Sequence, residues 1–311
     1  MKDRGRARPC QERIPSWAKK NKRLKELHLT KTGLRASGLA SVCEEARCPN
    51  IAECFARPTA AFLILGHICT RGCRFCSIRK GAPAPPDPCE GERVAQAAAA
   101  MGLKHVVITS VTRDDLPDQG AGAFACTIRE IRKLLPEATV EVLIPDFSGR
   151  ADLIETVLRE RPEVFNHNIE TVDRLYGSAR PQASLRTSLA VLRTAREFPG
   201  DTVVKSGFML GLGESEEEVA ELLEALSRSG CEVVTMGQYL QPTAAQVPVS
   251  RYWSPEDFKR FSDIAKNTGI RYVISGPLVR SSYQAKLVLE EVRRDRISVG
   301  MDGTSPQKGR G

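Results

Sequence analysis

The run Ala61-Phe62-Leu63-Ile64-Leu65-Gly66-His67-Ile68-Cys69-Thr70-Arg71-Gly72-Cys73-Arg74-Phe75-Cys76 decides how the rest of the chain reads. Its first part is a short apolar stretch ended by glycine, the pattern of a buried strand feeding a loop. The second part spaces three cysteines at i, i+4 and i+7, so one loop can bring three thiolates round a soft metal centre. Thiolate is the ligand that iron–sulfur clusters and zinc select. Three protein ligands for a centre that wants four leave one metal corner open to a small molecule. A structural zinc loop is the plainer alternative. Such sites close with four protein ligands, usually in paired CxxC arrangements, and no second CxxC occurs in this chain.

Upstream lies Cys43-Glu44-Glu45-Ala46-Arg47-Cys48-Pro49-Asn50-Ile51-Ala52-Glu53-Cys54, a second three-cysteine set with Cx4Cx5C spacing. Two triads within 34 residues are hard to explain as core thiols. Thiolates in that number repel and oxidise unless metals hold them, so the chemistry calls for two clusters. Six of the ten cysteines fall in this window, and the polar, basic N-terminus lacks the apolar core of a secretory signal. Metal ligation in a reducing, cytoplasmic setting is therefore expected over a disulfide framework. Cys10, Cys89, Cys126 and Cys231 read as ordinary or incidental thiols. No run of about 18 apolar residues predicts a membrane span.

The net charge of +8 is unevenly spread. Residues 1–42 hold twelve Lys or Arg against three acidic residues, which leaves the remainder at −1. Such an arm suits an acidic protein partner or a solvated tail. With only Trp17 interleaved it suits single-stranded nucleic acid poorly. One helical piece is expected near Trp17–Leu27.

Downstream of Cys76 a Pro-rich connection, Gly81–Pro88, is followed by alternating strand and helix signals. Strands are expected at His105–Thr109, Thr139–Ile144, Val164–Ile169, Thr202–Leu210, Glu232–Gly237 and Arg271–Ser275. Helices are expected at Glu92–Met101, Ala121–Leu135, Ala151–Glu160, Ser184–Glu197, Ser215–Ser229 and Pro255–Thr268. With the opening run this makes six βα units and a possible seventh strand. The alternation predicts an α/β fold, an incomplete (β/α)6 TIM-type barrel with N-terminal and C-terminal extensions. Residues 1–58 form the basic arm and first cysteine segment, 59–276 the partial barrel, and 277–311 an extension ending in a disordered tail, Gly303–Gly311.

In such barrels chemistry gathers at the C-terminal strand ends, where the Cys69 loop sits. The other ends are polar: Ser110 to Asp115, Asn166-His167-Asn168-Ile169-Glu170-Thr171, Lys205 to Glu214, and Gln238 to Pro242. Asn and Glu there suit a ribose diol and an amino acid head group, or else a mutual hydrogen-bonded layer. Gly211-Leu212-Gly213 permits close backbone approach to a planar ring. His167 has no histidine partner at ligand spacing. Asp114 and Asp115 read either as a general base or as ion partners of Arg113. The hydroxyls of Arg280-Ser281-Ser282-Tyr283 are typical of a helix cap, yet a three-cysteine set also lacks a fourth ligand.

The Cx3CxxC spacing, with Phe75 before the last cysteine, resembles the cluster motif of radical S-adenosylmethionine (SAM) enzymes. With Cx4Cx5C and the Arg-Ser-Ser-Tyr element added, the chain resembles lipoyl synthases from about Gly38 to Ala285. The likeness runs through Val142–Phe147, Asn166–Thr171 and Gly237–Pro242. It implies two [4Fe-4S] clusters and SAM as cofactors. Cys69, Cys73 and Cys76 would hold the SAM cluster; Cys43, Cys48 and Cys54, with Ser282 or failing that Ser281, would hold an auxiliary one. Phe75, Ser110, Asn168 and Glu170 would contact SAM. A 5′-deoxyadenosyl radical would take hydrogen from C6 and C8 of a protein-bound octanoyl-lysine, and the auxiliary cluster would give up both sulfurs, with Ser282 at its labile corner. The implied partners are an octanoylated lipoyl domain or H protein, an electron donor such as ferredoxin or flavodoxin, and iron–sulfur assembly proteins. Two departures from the family's pattern stand out: Gly66-His67, where an acidic residue usually follows the glycine, and Asp118-Gln119-Gly120, where a Gly-Gly pair is usual. Rival readings are another radical SAM sulfur-inserting enzyme, of the biotin synthase or RNA methylthiotransferase kind, and a zinc-dependent nucleic-acid-binding protein.

Overall fold

Short runs rich in Val, Ile and Phe alternate with amphipathic stretches, so that strands and helices follow one another along the chain. The computed structural model describes residues 15–18, 38–46, 48, 50–51 and 61–302. Seven strands run in parallel: β1 (Ala61–Ile64), β2 (His105–Ser110), β3 (Thr139–Leu143), β4 (Val164–Asn166), β5 (Val203–Leu210), β6 (Val233–Gln238) and β7 (Tyr272–Ser275). Their spatial order is their order in the chain. Between them lie α1 (Glu90–Ala100), α2 (Ala121–Leu134), α3 (Ala151–Leu158), α4 (Leu185–Glu197), α5 (Glu216–Arg228) and α6 (Pro255–Asn267). The sheet stays open. Among the described residues β7 pairs only with β6, and the other edge of β1 takes a short antiparallel strand, Ala40–Ser41. The expected partial barrel is therefore present, with its seventh strand.

The helix starts follow the local chemistry. Ser215 and Glu218 form a reciprocal capping box at α5, and Ser254 with Asp257 does the same at α6, where Pro255 occupies the first turn. Among the described residues no helix is long and apolar enough to cross a membrane. Most of the expected Trp17–Leu27 helix and all of the Gly303–Gly311 tail lie outside the described residues.

Two features depart from the expected element pattern, and both shape the site. β4 ends at Asn166, not Ile169, because the chain bulges there. His167 N–H donates to Lys205 O and Glu170 N–H to Gly207 O, three residues set against two. Glu170 takes a φ of 73° to absorb the extra residue. Bulges of this kind re-aim side chains next to active sites. The second feature is a helix that the sequence reading did not expect, α7 (Ala285–Asp302). Its Val288, Leu289 and Val292 pack on Val164, Val203, Val233 and Tyr272, the first or second residues of β4 to β7. α7 thus fills the N-terminal end of the barrel. Just above it the buried Lys205 ammonium lies 2.8 Å from the Glu141 carboxylate.

Candidate active site

After β1 the chain turns through Leu65 and Gly66, both at positive φ (66° and 84°), with Leu65 N–H donating to the Glu90 carboxylate at 2.7 Å. Ile68–Cys69 then pairs in parallel with Arg79–Lys80, which closes the cysteine loop at its base. The Cys69 sulfur accepts N–H bonds from Arg71 (3.4 Å) and Thr112 (3.3 Å). Arg71 is the anchor. Its guanidinium reaches Asp146 at 2.6 Å and Asp114 at 2.7 and 2.8 Å, tying the loop to the ends of β2 and β3. Arg113 pairs with Asp115 alone (2.9 Å), so of the two carboxylates expected beside it Asp114 belongs to Arg71 instead. The tip is held by Arg74 N–H to Ala179 O (2.8 Å) and Val247 N–H to Arg74 O (3.0 Å).

Burial raises the Cys73 thiol's pKa, although Arg180 pulls it down, and pushes Cys76 up to about 12, with the neighbouring Cys73, Cys69 and Glu170 adding to the effect. Thiols so placed ionise readily only when a cation arrives among them. That donor set fits an iron cluster. No three His, Cys, Asp or Glu side chains among the described residues are gathered as a single metal ion would need.

The second set enters beside β1, from the short strand that pairs with it. Ser41 caps the short helix Val42–Glu45 by accepting Cys43 N–H (3.1 Å), and Cys48 N–H donates to Cys43 O (3.0 Å). Asn50 Nδ2 donates to Leu278 O, which straps this segment to the Arg-Ser-Ser-Tyr element. Cys54 lies outside the described residues. The Arg-Ser-Ser-Tyr element rests directly on β6 and β5. A Cβ on Gly237 would stand 2.1 Å from Val279 O, and one on Gly207 would meet Thr235 Oγ1 and Ser281 Oγ. Ser281 and the Asn168 side-chain amide bond each other, at 2.7 Å from Nδ2.

These pieces wall one cavity of about 390 Å³. Cys43, Cys48, Arg280, Ser281 and Ser282 line one part; Phe75, Cys76, Asn168 and Glu170 line another. Ser110 is not in the lining, and its hydroxyl is buried without a hydrogen-bond partner. His167 is a structural residue: Nδ1–H donates to Ile144 O and Nε2 accepts from Ser188 Oγ, each at 3.0 Å.

Sequence reasoning missed two side chains. Arg180 donates to Asn168 O and Ile169 O (3.1 Å each), sits electrostatically beside Cys73 and Glu170, and keeps a buried Nε without a hydrogen-bond partner among the described residues. No spacing rule singles it out, since it follows a one-turn helix. Glu214 accepts from Leu212 N–H (2.9 Å), Gly213 N–H (3.1 Å) and Trp253 Nε1–H (2.8 Å), and so fixes the Gly211-Leu212-Gly213 turn.

The Radical SAM superfamily model matches residues 63–226. The lipoyl synthase of Caldanaerobacter subterraneus subsp. tengcongensis is 50% identical over 281 residues, 90% of this chain and 99% of that one. That of Rubrobacter xylanophilus is 52% identical over 267 residues, 86% of this chain and 83% of that one. The chain belongs to the lipoyl synthase family. It is a radical SAM enzyme, and the rival readings fall away. Among solved structures, the crystal structure of HydG, a maturase of the [FeFe]-hydrogenase, has a TM-score of 0.56 at 15% identity, over 74% of this chain and 54% of that chain, a likeness of fold alone. The family implies a [4Fe-4S] cluster, SAM and an octanoylated carrier substrate.

Proposed function

We propose that the chain inserts two sulfur atoms, at C6 and C8, into an octanoyl group carried on a protein lysine. Cys69, Cys73 and Cys76 would hold the SAM cluster; Cys43, Cys48, Cys54 and Ser282 would hold an auxiliary [4Fe-4S] cluster. The observation that carries this reading is the shared cavity, where residues of both cysteine sets face one space. When bound, the groups supply a 5′-deoxyadenosyl radical able to take hydrogen from an unactivated carbon, and sulfur to fill the vacated bonds. The protein's part is placement and exclusion of water. Val42, Leu143, Met209, Leu240 and Val279 give the cavity an apolar wall suited to an alkyl chain. Asn168, Glu170 and Arg180 form a polar corner beside Cys73 suited to a zwitterionic head group. The two serines divide their roles. Ser281 is engaged by Asn168, whereas Ser282 Oγ has no hydrogen bond among the described residues, which favours Ser282 as the oxygen ligand. In this reading residues 1–58 carry the auxiliary segment, 59–276 the barrel and 277–311 the extension with the serine. The enzyme works in a reducing, cytoplasmic setting, with an electron donor and assembly proteins as further partners.

The test is anaerobic incubation with SAM, reductant and an octanoyl-lysine peptide, read by mass spectrometry for added sulfur. Cys73→Ala abolishes 5′-deoxyadenosine formation. Cys48→Ala and Ser282→Ala still form it but yield no product with two added sulfurs, while Ser281→Ala keeps most of the product. Sulfur insertion by Cys48→Ala would remove the donor assignment.

A further inference from the structure

We propose that the outer face of the cysteine loop, formed by Arg74, Arg79 and Lys80, is the docking surface for an acidic protein that delivers single electrons. The inference rests on the site reading above, which places the electron-accepting centre on that loop. Arg74 stands between Cys73 and Cys76, and its backbone is pinned on both sides by Ala179 and Val247. Arg79 and Lys80 pair in register with Ile68 and Cys69, and Gly81 N–H donates to Cys69 O at 3.0 Å. The backbone that carries the three cations is thus tied to the cysteine ligands.

All three are exposed, and none makes a salt bridge among the described residues. Their neighbours differ. Arg71 is committed to Asp114 and Asp146, and Arg113 to Asp115. Exposed arginines on the helices also find carboxylates, as Arg129 does at Glu160, Arg159 at Glu155 and Arg228 at Glu224. Arg79 and Lys80 lie beside Cys69 and Arg74 lies within the same loop, and an acidic partner can match that local positive charge while steering its own approach. The patch is a local excess, because residues beyond 42 carry a net −1. It is also separate from the substrate's space: Phe75, Cys76 and Ser77 line the cavity, but Arg74, Arg79 and Lys80 do not. The loop therefore has an inner face for chemistry and an outer face for supply. One electron crosses that interface per SAM consumed, from the reduced centre of the carrier to the cluster, and no bond of the chain is made or broken.

The experiment is calorimetric titration of the reconstituted holoenzyme with oxidised flavodoxin, at about 50 mM and 500 mM salt. Wild-type affinity is expected to fall about tenfold or more across that range. The combined variant Arg74→Glu, Arg79→Glu, Lys80→Glu loses about tenfold or more at low salt. A control of equal charge change on α4 and α6, Arg193→Glu, Lys259→Glu, Lys266→Glu, keeps wild-type affinity. Equal affinity of wild type and loop variant overturns the proposal, and so does equal loss in both variants. Intact flavodoxin binding with lost binding of the octanoylated carrier assigns the face to substrate and overturns it as well. With dithionite as reductant, wild type and loop variant form 5′-deoxyadenosine at the same rate. A fall in the variant would show the cations acting on the site itself. No product from either protein would instead sink the site reading, with the binding data unaffected.

Discussion

His167 shows how a polar strand-end residue can be structural and still govern the enzyme's response to acid. It is wholly enclosed and bonded on both ring nitrogens, and burial, aided by the positive charge of Arg180, lowers its pKa to about 4. In the unfolded chain a histidine titrates near 6.5. Between those values the unfolded state binds a proton that the folded state refuses. Its contribution to stability is therefore complete above about pH 6.5, drains away as pH falls towards 4, and amounts to about 3 kcal/mol in all. His167→Asn, which keeps a donor for Ile144 O, is expected to flatten the urea-unfolding free energy across that window, at a fixed cost of about 1–3 kcal/mol for the lost Ser188 contact. An unchanged slope in the variant would mean that another group sets it. Acid sensitivity below this range belongs in part to Asp146. Burial alone would raise its pKa, but Arg71 more than offsets that and holds it below the usual carboxylate range. Its stabilisation is present above the unfolded value and lost as pH falls through the lowered one.

At the scale of elements, the site depends on how closely the Arg-Ser-Ser-Tyr segment lies on β6. Gly237 is the contact point. The obstacle to a side chain there is backbone, Val279 O at 2.1 Å, not a rotamer that can swing away. Gly237→Ala must lift residues 277–282 off the strand, breaking Gln238 N–H to Pro277 O. Overpacking of this kind costs about 1–3 kcal/mol. The expected signature is a lower urea midpoint and, if the proposed auxiliary cluster is held there, a fall in iron from about eight towards four per chain. Full iron loading in the variant would detach Ser282 from that site. The β4 bulge belongs to the same scale. It carries Glu170 into the cavity wall at the cost of a positive φ, a placement that two-residue alternation along a strand does not foresee. Gln119 makes a comparable departure. Its φ of 49°, followed by Gly120 at 91°, puts a residue with a side chain in the left-handed region that glycine adopts without strain.

For the molecule as a whole, the barrel is finished from below by the chain's own last helix. Above α7 the Lys205–Glu141 pair is buried on both sides; among the described residues Glu141 Oε2 and Asn166 Oδ1 have no hydrogen-bond partner, and the His105 ring stands 3.7 Å from Glu141 Oε2. Such a pair is costly to break and cheap to replace. Lys205→Met takes the buried carboxylate's cation away, leaving it the His105 ring at 3.7 Å and the Asn166 amide, and is expected to cost about 3–5 kcal/mol, whereas the double change Glu141→Leu with Lys205→Met recovers most of that. Chemical denaturation of the three proteins decides the matter, and a double variant as weak as the single one would show that the pair does more than neutralise itself.

The cysteine spacings, the βα alternation, the caps at Ser215 and Ser254 and the family likeness are all local along the chain, so the residues alone determined them. Cys89 and Cys231 were read as ordinary thiols, and they are respectively exposed and buried, away from the cavity. Only the folded chain decided what depends on distant partners: Asp114 belonging to Arg71, Arg180 reaching Asn168 from a loop, Glu214 joining the Leu212 and Gly213 N–H groups to the Trp253 indole, and α7 filling the N-terminal end of the barrel. α7 is weakly marked in the sequence because its buried face, Ala285, Val288, Leu289 and Val292, lies in a charged stretch, too little to specify a helix until the strand starts offer it a surface. Spacing reports what a segment can do by itself; burial and pairing across a hundred residues are properties of the fold.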